Sequence, residues 1–430
     1  MSLTLKSPIK AIQAHGIIGP AAILFVSANI ANAANLLFNM IFARLMGPAL
    51  FADLTLLLTL KLGVLSFLGA LQFAFAEKSA KDRDVTRSKT NAYALSWASL
   101  KLSVPIMFVI IAASGVLSSW LNFSSPWALS ALALAIPFFL PMVIYRGLTQ
   151  GLIQLPKIVL SIQAEWIVRL VGSVLLWKMG FGLIGIAAAV GLSVLAGFIF
   201  STDNQDLEMR KTVSKASPTI NVKTLAVIAL PYIILQFAQI LVLDSDIIIA
   251  KATFSAEDAG LVAGLLLIQR VFFFAFLSAS MILQPFVANQ NEGDRRRKEL
   301  LILLLAITSI TAAALFIIIP YADLVVTLML GEAYIQLSDI VWISALTGAV
   351  FIISHLCAIY QIAKGQKLAA QIVLGFGIVQ LITLTLINHI FADISLYSYF
   401  MIKLIVQISC ALCLLGLIMF PHRTVRSAPV

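Results

Sequence analysis

The chain has 430 residues, of which 61% are hydrophobic and 11% charged, and it carries a formal net charge of +10. With a mean hydropathy of +1.03, this balance excludes an ordinary water-soluble globular domain and defines an all-α integral membrane protein. Apolar runs of about 20 residues recur along the whole length without the alternation expected of a membrane barrel.

The first apolar run, 17–43, is longer than a signal-peptide core and lacks a convincing cleavage site, so it is expected to stay as the first span. The spans that follow are read at 49–76, 92–118, 127–150, 156–177, 181–200, 224–250, 257–287, 299–319, 335–361, 368–389 and 395–420. These make about twelve transmembrane helices in two six-helix halves, 1–200 and 224–430, joined by a basic cytoplasmic linker at 201–223.

The loops orient the chain. With the amino terminus in the cytoplasm, the linker and the loops on that side collect most of the Lys and Arg, for example Lys78, Lys81, Arg83, Arg87 and Lys89 after span 2, and Arg295, Arg296, Arg297 and Lys298 after span 8. Arg146 falls at the cytoplasmic end of span 4, and the opposite loops hold only Arg44, Lys178 and Lys251. This asymmetry predicts that both termini are cytoplasmic, and it explains the net charge without nucleic acid.

Other chemistry finds no support. Cys357, Cys410 and Cys413 all lie in apolar segments, against a disulfide framework or a zinc site. His15, His355, His389 and His422 match no metal motif, and His355 reads as a packed core residue. No GxxxxGK[ST] phosphate loop is present, so no nucleotide cofactor is expected. Pro141, Pro231 and Pro285 are candidate kinks.

Five basic residues remain inside the spans: Lys61, Lys101, Arg169, Arg270 and Lys403. A lysine or arginine at a helix centre costs about 2.5–3.5 kcal/mol on insertion and is expected to face the bundle interior or water. Lys61 and Arg270, deep and without an obvious local partner, are the leading candidates to bind an anion. Glu165 and Arg169, one helical turn apart, read as a pair that neutralises itself in part. Lys101 and Lys403 are shallower, within reach of the interface by snorkelling. Asp244 and Asp246, toward the outer end of span 7, are candidates to pair with a cation, to bind a coupling ion or to meet loop water.

An internal repeat relates the halves. One ungapped offset carries Ile41, Ala43 and Arg44 onto Ile248, Ala250 and Lys251, and it carries Asn29, Asn32 and Asn39 onto Gln236, Gln239 and Asp246. Asn32, Asn35 and Asn39 fall within about 60° on a helix of 100° per residue, a polar stripe. The two stripes are expected to line a cavity, with plain interhelical glue as the alternative.

Three stretches carry a family likeness: ARLMGPALFADL (43–54), YRGLTQGLIQLPKIVLSIQAEWIVRLV (145–171) and LQPFVANQNEGDRRR (283–297). They resemble the Leu-Gly-Pro turn between the first two helices, the Arg-Gly and Gln-Gly pair before a Glu- and Arg-bearing helix, and the proline-containing end of helix 8 in one family. That family is the polysaccharide-transporter branch of the multidrug/oligosaccharidyl-lipid/polysaccharide (MOP) exporter superfamily, and above all its O-antigen-type flippases. The repeat AKATFSAEDAGL lacks the Gly-Pro, and the two extra helices of peptidoglycan-precursor flippases are missing.

The resemblance implies two six-helix bundles, alternating access and no enzymatic step. The implied activity is flipping of an undecaprenyl-diphosphate-linked oligosaccharide, working beside membrane lipids, a polysaccharide polymerase and a chain-length regulator. Sugars and a diphosphate cannot shed their water into hydrocarbon unaided. Lys61 and Arg270, with Lys101, Arg169 and Lys403, would hold the diphosphate; Asn32, Asn35, Asn39, Gln236 and Gln239 would bond sugar hydroxyls. Glu165, Asp244 and Asp246 are candidates for coupling to a proton or sodium gradient. The alternatives are a multidrug or metabolite exporter of the same superfamily, and a membrane glycan polymerase or ligase, which the short outer loops disfavour.

Overall fold

The computed structural model describes residues 18–82, 84–202, 222–289, 293–366, 368–390 and 394–419, and among them the regular structure is entirely helical. The expected linker 201–223 lies almost wholly outside these residues, as do the basic residues near both termini. Helix α1, Ile18–Lys81, runs for 64 residues and is broken only at Gly47, at φ 70° and ψ 174°. A glycine in left-handed φ ends the first arm. Pro48, whose ring presets a helical φ and whose missing N–H is no loss in a first turn, starts the second. Expected spans 1 and 2 are therefore two arms joined at one residue. Val26–Ala80, 55 residues, is long enough to cross about 30 Å of hydrocarbon twice. Counted by its arms, it brings the eleven membrane-length segments of the described residues to twelve.

The helices that follow are α2 (Val85–Trp120), α3 (Pro126–Ala133), α4 (Ile136–Gly151), α5 (Leu155–Lys178), α6 (Gly182–Ser201), α7 (Val222–Leu243) and α8 (Ser245–Thr253). After them come α9 (Ala256–Asn289), α10 (Gly293–Ile318), α11 (Ala322–Met329), a 3-10 turn at Glu332–Leu337, α12 (Val341–Ala363), α13 (Leu368–Ile390) and α14 (Leu396–Met419). Three expected spans change shape. Span 4 is divided between α3 and α4, span 10 begins only at Val341, and span 7 is broken at Asp244 between α7 and α8. Pro141, Pro231 and Pro285 sit inside α4, α7 and α9 without ending them.

The chain forms two compact units, Met1–Ile233 with Phe254–Gly260, and Ile234–Thr253 with Leu261–Val430. In unit 1 the Gly147 and Gly151 face of α4 lies against the second arm of α1. A Cβ on Gly147 would stand 2.7 Å from the Gln72 carbonyl oxygen, and one on Gly151 2.5 Å from that of Ala76. Without a strong hydrophobic drive between helices inside lipid, such small-residue contacts let backbones approach and gain dispersion energy. This is the physical content of the Arg-Gly and Gln-Gly spacing in the sequence.

In unit 2, Phe273 stacks on Phe351 at 5.1 Å, and His355 meets the Phe273 ring edge-on at 5.4 Å, so His355 is a core residue. Gly348 of α12 lies against the Gln269 carbonyl, and the Ser344 hydroxyl donates to the Leu265 carbonyl at 2.5 Å. Outer faces are apolar, as contact with lipid requires; Phe316, for instance, is 83% exposed.

Candidate functional site: buried ion pairs in each unit

The cluster in unit 1 is built on four helices, α1, α4, α5 and α6. Lys61, on the second arm of α1 and 4% exposed, donates to Glu165 Oε1 at 2.9 Å and to the Ser193 hydroxyl at 3.4 Å. The other oxygen of Glu165 accepts from Arg146 Nη2 at 3.0 Å. Arg146 is fixed further by Ser161, whose hydroxyl accepts from Nε at 2.9 Å and whose carbonyl accepts from Nη2 at 3.2 Å. The Ser161 hydroxyl in turn donates to the Gly197 carbonyl at 2.6 Å. Gly197 makes room for this arrangement, since a Cβ there would stand 2.7 Å from Met142 Sδ and 3.0 Å from Arg146 Nη2.

Arg169 completes the cluster differently. Its guanidinium carbon lies 5.4 Å from the centroid of the buried Phe38 ring, and its Nε is buried with no hydrogen-bond partner. Unit 1 thus sets Lys61, Arg146 and Arg169 against one carboxylate, a positive excess.

Three expectations change here. Lys61 is not a charge without a partner; Glu165 supplies one across the bundle. Glu165 does not spend its oxygens on Arg169, because Lys61 and Arg146 reach them from the neighbouring helices. Lys101 does not join the cluster. It is exposed on α2, while Ser99 and Ser103, two positions to either side and so about 200° around the helix, are buried.

Of the asparagine stripe, Asn39 is buried; its Nδ2 donates to the Asn35 carbonyl at 2.7 Å, and its Oδ1 has no partner. Asn32 and Asn35 are half-buried.

Unit 2 gathers its charges around the break in span 7. Asp244, the interrupting residue, accepts from Arg270 Nε at 2.9 Å and from Arg270 Nη2 through the same oxygen. Its second carboxylate oxygen is buried without a partner. Asp246 lies in the first turn of α8, where the helix dipole favours negative charge, and it binds Lys403 Nζ at 2.5 Å and the Tyr399 hydroxyl at 3.0 Å. Lys403 and Asp246 are fully buried, so Lys403 does not snorkel. Arg270, like Lys61, finds a carboxylate that is not its neighbour along the helix, and Asp244 and Asp246 take the first of their expected roles, pairing with a cation.

A helix broken inside a membrane frees backbone carbonyls that need donors. Gln380 Nε2 reaches the Val242 carbonyl at 3.2 Å, and Gln407 Nε2 donates to Gln380 Oε1 at 2.6 Å. Gln239 is buried with its Oε1 unpaired, and Gln236 is half-buried.

Sequence reasoning missed Arg146 as a member of the unit 1 cluster, having placed it at a helix end, and it missed Tyr399, Gln380 and Gln407. The signal available for Arg146 was its position beside the Gly147 and Gly151 contact face, which turns the same helix toward its neighbours.

The architecture defines a multi-pass helical membrane protein. No protein-family model matches the chain, and no curated protein matches it. Solved structures do. An inward-facing multidrug resistance MATE family transporter of the MOP superfamily aligns at a TM-score of 0.73 and 15% identity, over 89% of this chain and 92% of its own. A eukaryotic MATE transporter aligns at 0.66 and 14%, over 95% and 94%. So does a MOP superfamily transporter from Pyrococcus furiosus, for which reverse polarity of the binding pocket suggests a different function, at 0.66 and 14% over 93% and 94%. The chain has the fold of the MATE transporters of the MOP superfamily.

Proposed function

We propose that this protein is a MOP-type transporter that carries an amphiphile with an anionic head group across a bacterial inner membrane by alternating access, with both termini in the cytoplasm. Its substrate on this reading is an undecaprenyl-diphosphate-linked oligosaccharide, an O-antigen, capsule or exopolysaccharide repeat unit. The observation that carries the reading is the positive excess in unit 1, where Lys61, Arg146 and Arg169 face the single carboxylate of Glu165. A diphosphate diester, which carries two negative charges at neutral pH, complements that excess, and stripping it of water requires such compensation. Asn39 and Gln239, each buried with an unpaired amide oxygen, offer acceptors to sugar hydroxyls. For gradient coupling the candidate is Asp244, which keeps an unpaired carboxylate oxygen.

The second reading is a multidrug exporter, which the names of the neighbouring MATE structures favour. A cationic drug calls for available carboxylates, whereas Glu165, Asp244 and Asp246 are each held by cations. The Pyrococcus furiosus transporter lends support to the idea that pocket polarity and function change together on this fold.

The test is transport by the purified full chain in proteoliposomes. Movement of a fluorescent polyprenyl-diphosphate disaccharide between leaflets, without ethidium export, is the expected result. Ethidium export with a stationary diphosphate lipid would overturn the reading in favour of the drug exporter.

A further inference from the structure

We infer that Arg169, rather than Lys61 or Arg146, is the residue that takes hold of an anionic oxygen of the head group, and that Phe38 is the platform that aims it. The inference rests on the anionic-substrate reading above and assigns it to one side chain.

The three cations of unit 1 differ in what their nitrogens already do. Lys61 is committed to Glu165 and Ser193. Arg146 is committed to Glu165 and to both the hydroxyl and the carbonyl of Ser161. Each reads as a positioning residue whose charge is answered. Arg169 lies one turn beyond Glu165 on α5, yet both carboxylate oxygens are taken from other directions. Its buried Nε has no acceptor, and a buried donor left unpaired costs free energy that a ligand oxygen would relieve. Arg169 as a residue is half-buried rather than sealed in the core.

Phe38 explains why the guanidinium stays in place. The ring is fully buried and packs against Phe42 at 4.8 Å, and Phe42 meets Trp177 edge-on at 6.3 Å. A guanidinium lying over such an aromatic cluster keeps its charge in a cation–π contact while its in-plane N–H groups remain available. That geometry suits two oxygens of a phosphate, or the two of a carboxylate, and an ammonium cannot reproduce it.

Charge count and contact can be separated by substitution. Arg169→Ala removes one positive charge, and adding Glu165→Gln restores the original net charge while leaving Lys61 and Arg146 unpaired and available. The measurement is affinity for farnesyl diphosphate, with farnesol as the neutral control, using the full chain in detergent. Size-exclusion profile and thermal midpoint serve as fold checks.

The expected result is that Arg169→Ala and Arg169→Lys each weaken diphosphate binding by about tenfold or more, the scale of a lost charge-assisted contact. Glu165→Gln with Arg169→Ala, where it passes the fold checks, remains as weak as Arg169→Ala. Recovery of wild-type affinity in that double variant would overturn the assignment, because net charge alone would suffice, and it would leave the anionic-substrate reading standing. A wild-type chain that binds farnesol and farnesyl diphosphate equally would overturn both. If Arg169→Ala fails the fold checks, Phe38→Leu decides: it keeps the charge and removes the platform, and undiminished diphosphate affinity in it would overturn the assignment.

Discussion

Lys61 and Glu165 stand 104 positions apart in the chain and 2.9 Å apart in the structure, and Glu165 is shared with Arg146 at 3.0 Å. One carboxylate therefore answers two cations, so the two ends of the pair are not equivalent. Glu165→Ala strands both Lys61 and Arg146, whereas Lys61→Ala leaves Glu165 with Arg146. Breaking a buried pair from one side costs about 3–5 kcal/mol. Glu165→Ala is expected to fall in that range and Lys61→Ala below it. Thermal unfolding of the two variants in detergent gives the order, and a larger loss for Lys61→Ala would contradict the shared-carboxylate geometry.

Lys403 and Asp246 are both fully buried and make their contact in unit 2. Lys403→Met leaves a buried carboxylate with the Tyr399 hydroxyl and the start of α8 but no counter-charge bonded to it among the described residues, and should cost about 3–5 kcal/mol. Replacing both, Lys403→Met with Asp246→Leu, should recover much of that loss, because an apolar pair needs no desolvation. A double-mutant cycle in unfolding free energy reads the coupling directly, and additive losses would argue against a direct pair.

Gly348 and Gly416 offer the same substitution with opposite outcomes. A Cβ on Gly348 would stand 2.2 Å from the Gln269 carbonyl oxygen, a backbone atom that cannot rotate away, whereas one on Gly416 meets nothing within 4 Å. Gly348→Ala is expected to destabilise by at least about 1–3 kcal/mol through overpacking. Gly416→Ala, in the interior of α14, should stabilise by up to about 1 kcal/mol through helix propensity. Thermal midpoints that move in the same direction would count against the close α9 and α12 contact.

Lys101 is exposed on α2, away from the buried serines. On the proposed flippase function, Lys101→Ala leaves export of surface polysaccharide within about twofold of wild type, the usual scale for a surface change without special contacts, while Arg169→Ala lowers it strongly at equal protein abundance. Glycan staining of whole cells against immunoblotted protein makes the comparison. A Lys101→Ala loss equal to that of Arg169→Ala would return Lys101 to the site.

The positions of the helices were legible because about 20 apolar residues in a row have few alternatives in a membrane chain. The Gly47 break could be read from Gly-Pro chemistry, and the Gly147 and Gly151 contact from small-residue spacing. The break at Asp244 could not, since neither proline nor glycine marks it; the reason lies in Arg270, Gln380 and Gln407, which are remote in sequence and supply the compensating charge and donors. The pairing of the charges was hidden for the same cause. Local spacing placed Glu165 with Arg169, one turn apart on the same helix, but tertiary packing brought Lys61 and Arg146 to its two oxygens. The identity of the intramembrane charges was thus readable from one dimension, and their assignment to partners required three.

The separation of these partners along the chain also sets an order of synthesis. Asp244 has Arg270 within 26 positions, almost as soon as the next helix is made, but Lys61 precedes Glu165 by 104 positions and Asp246 precedes Lys403 by 157. A nascent chain entering the bilayer from its amino terminus must therefore carry Lys61 through three further helices before its counter-charge exists, at an insertion cost of about 2.5–3.5 kcal/mol. The break at Gly47 bears on that interval, because no loop separates the second arm of α1 from the first. The apolar first arm then helps to hold a lysine-bearing segment in place until α5 arrives.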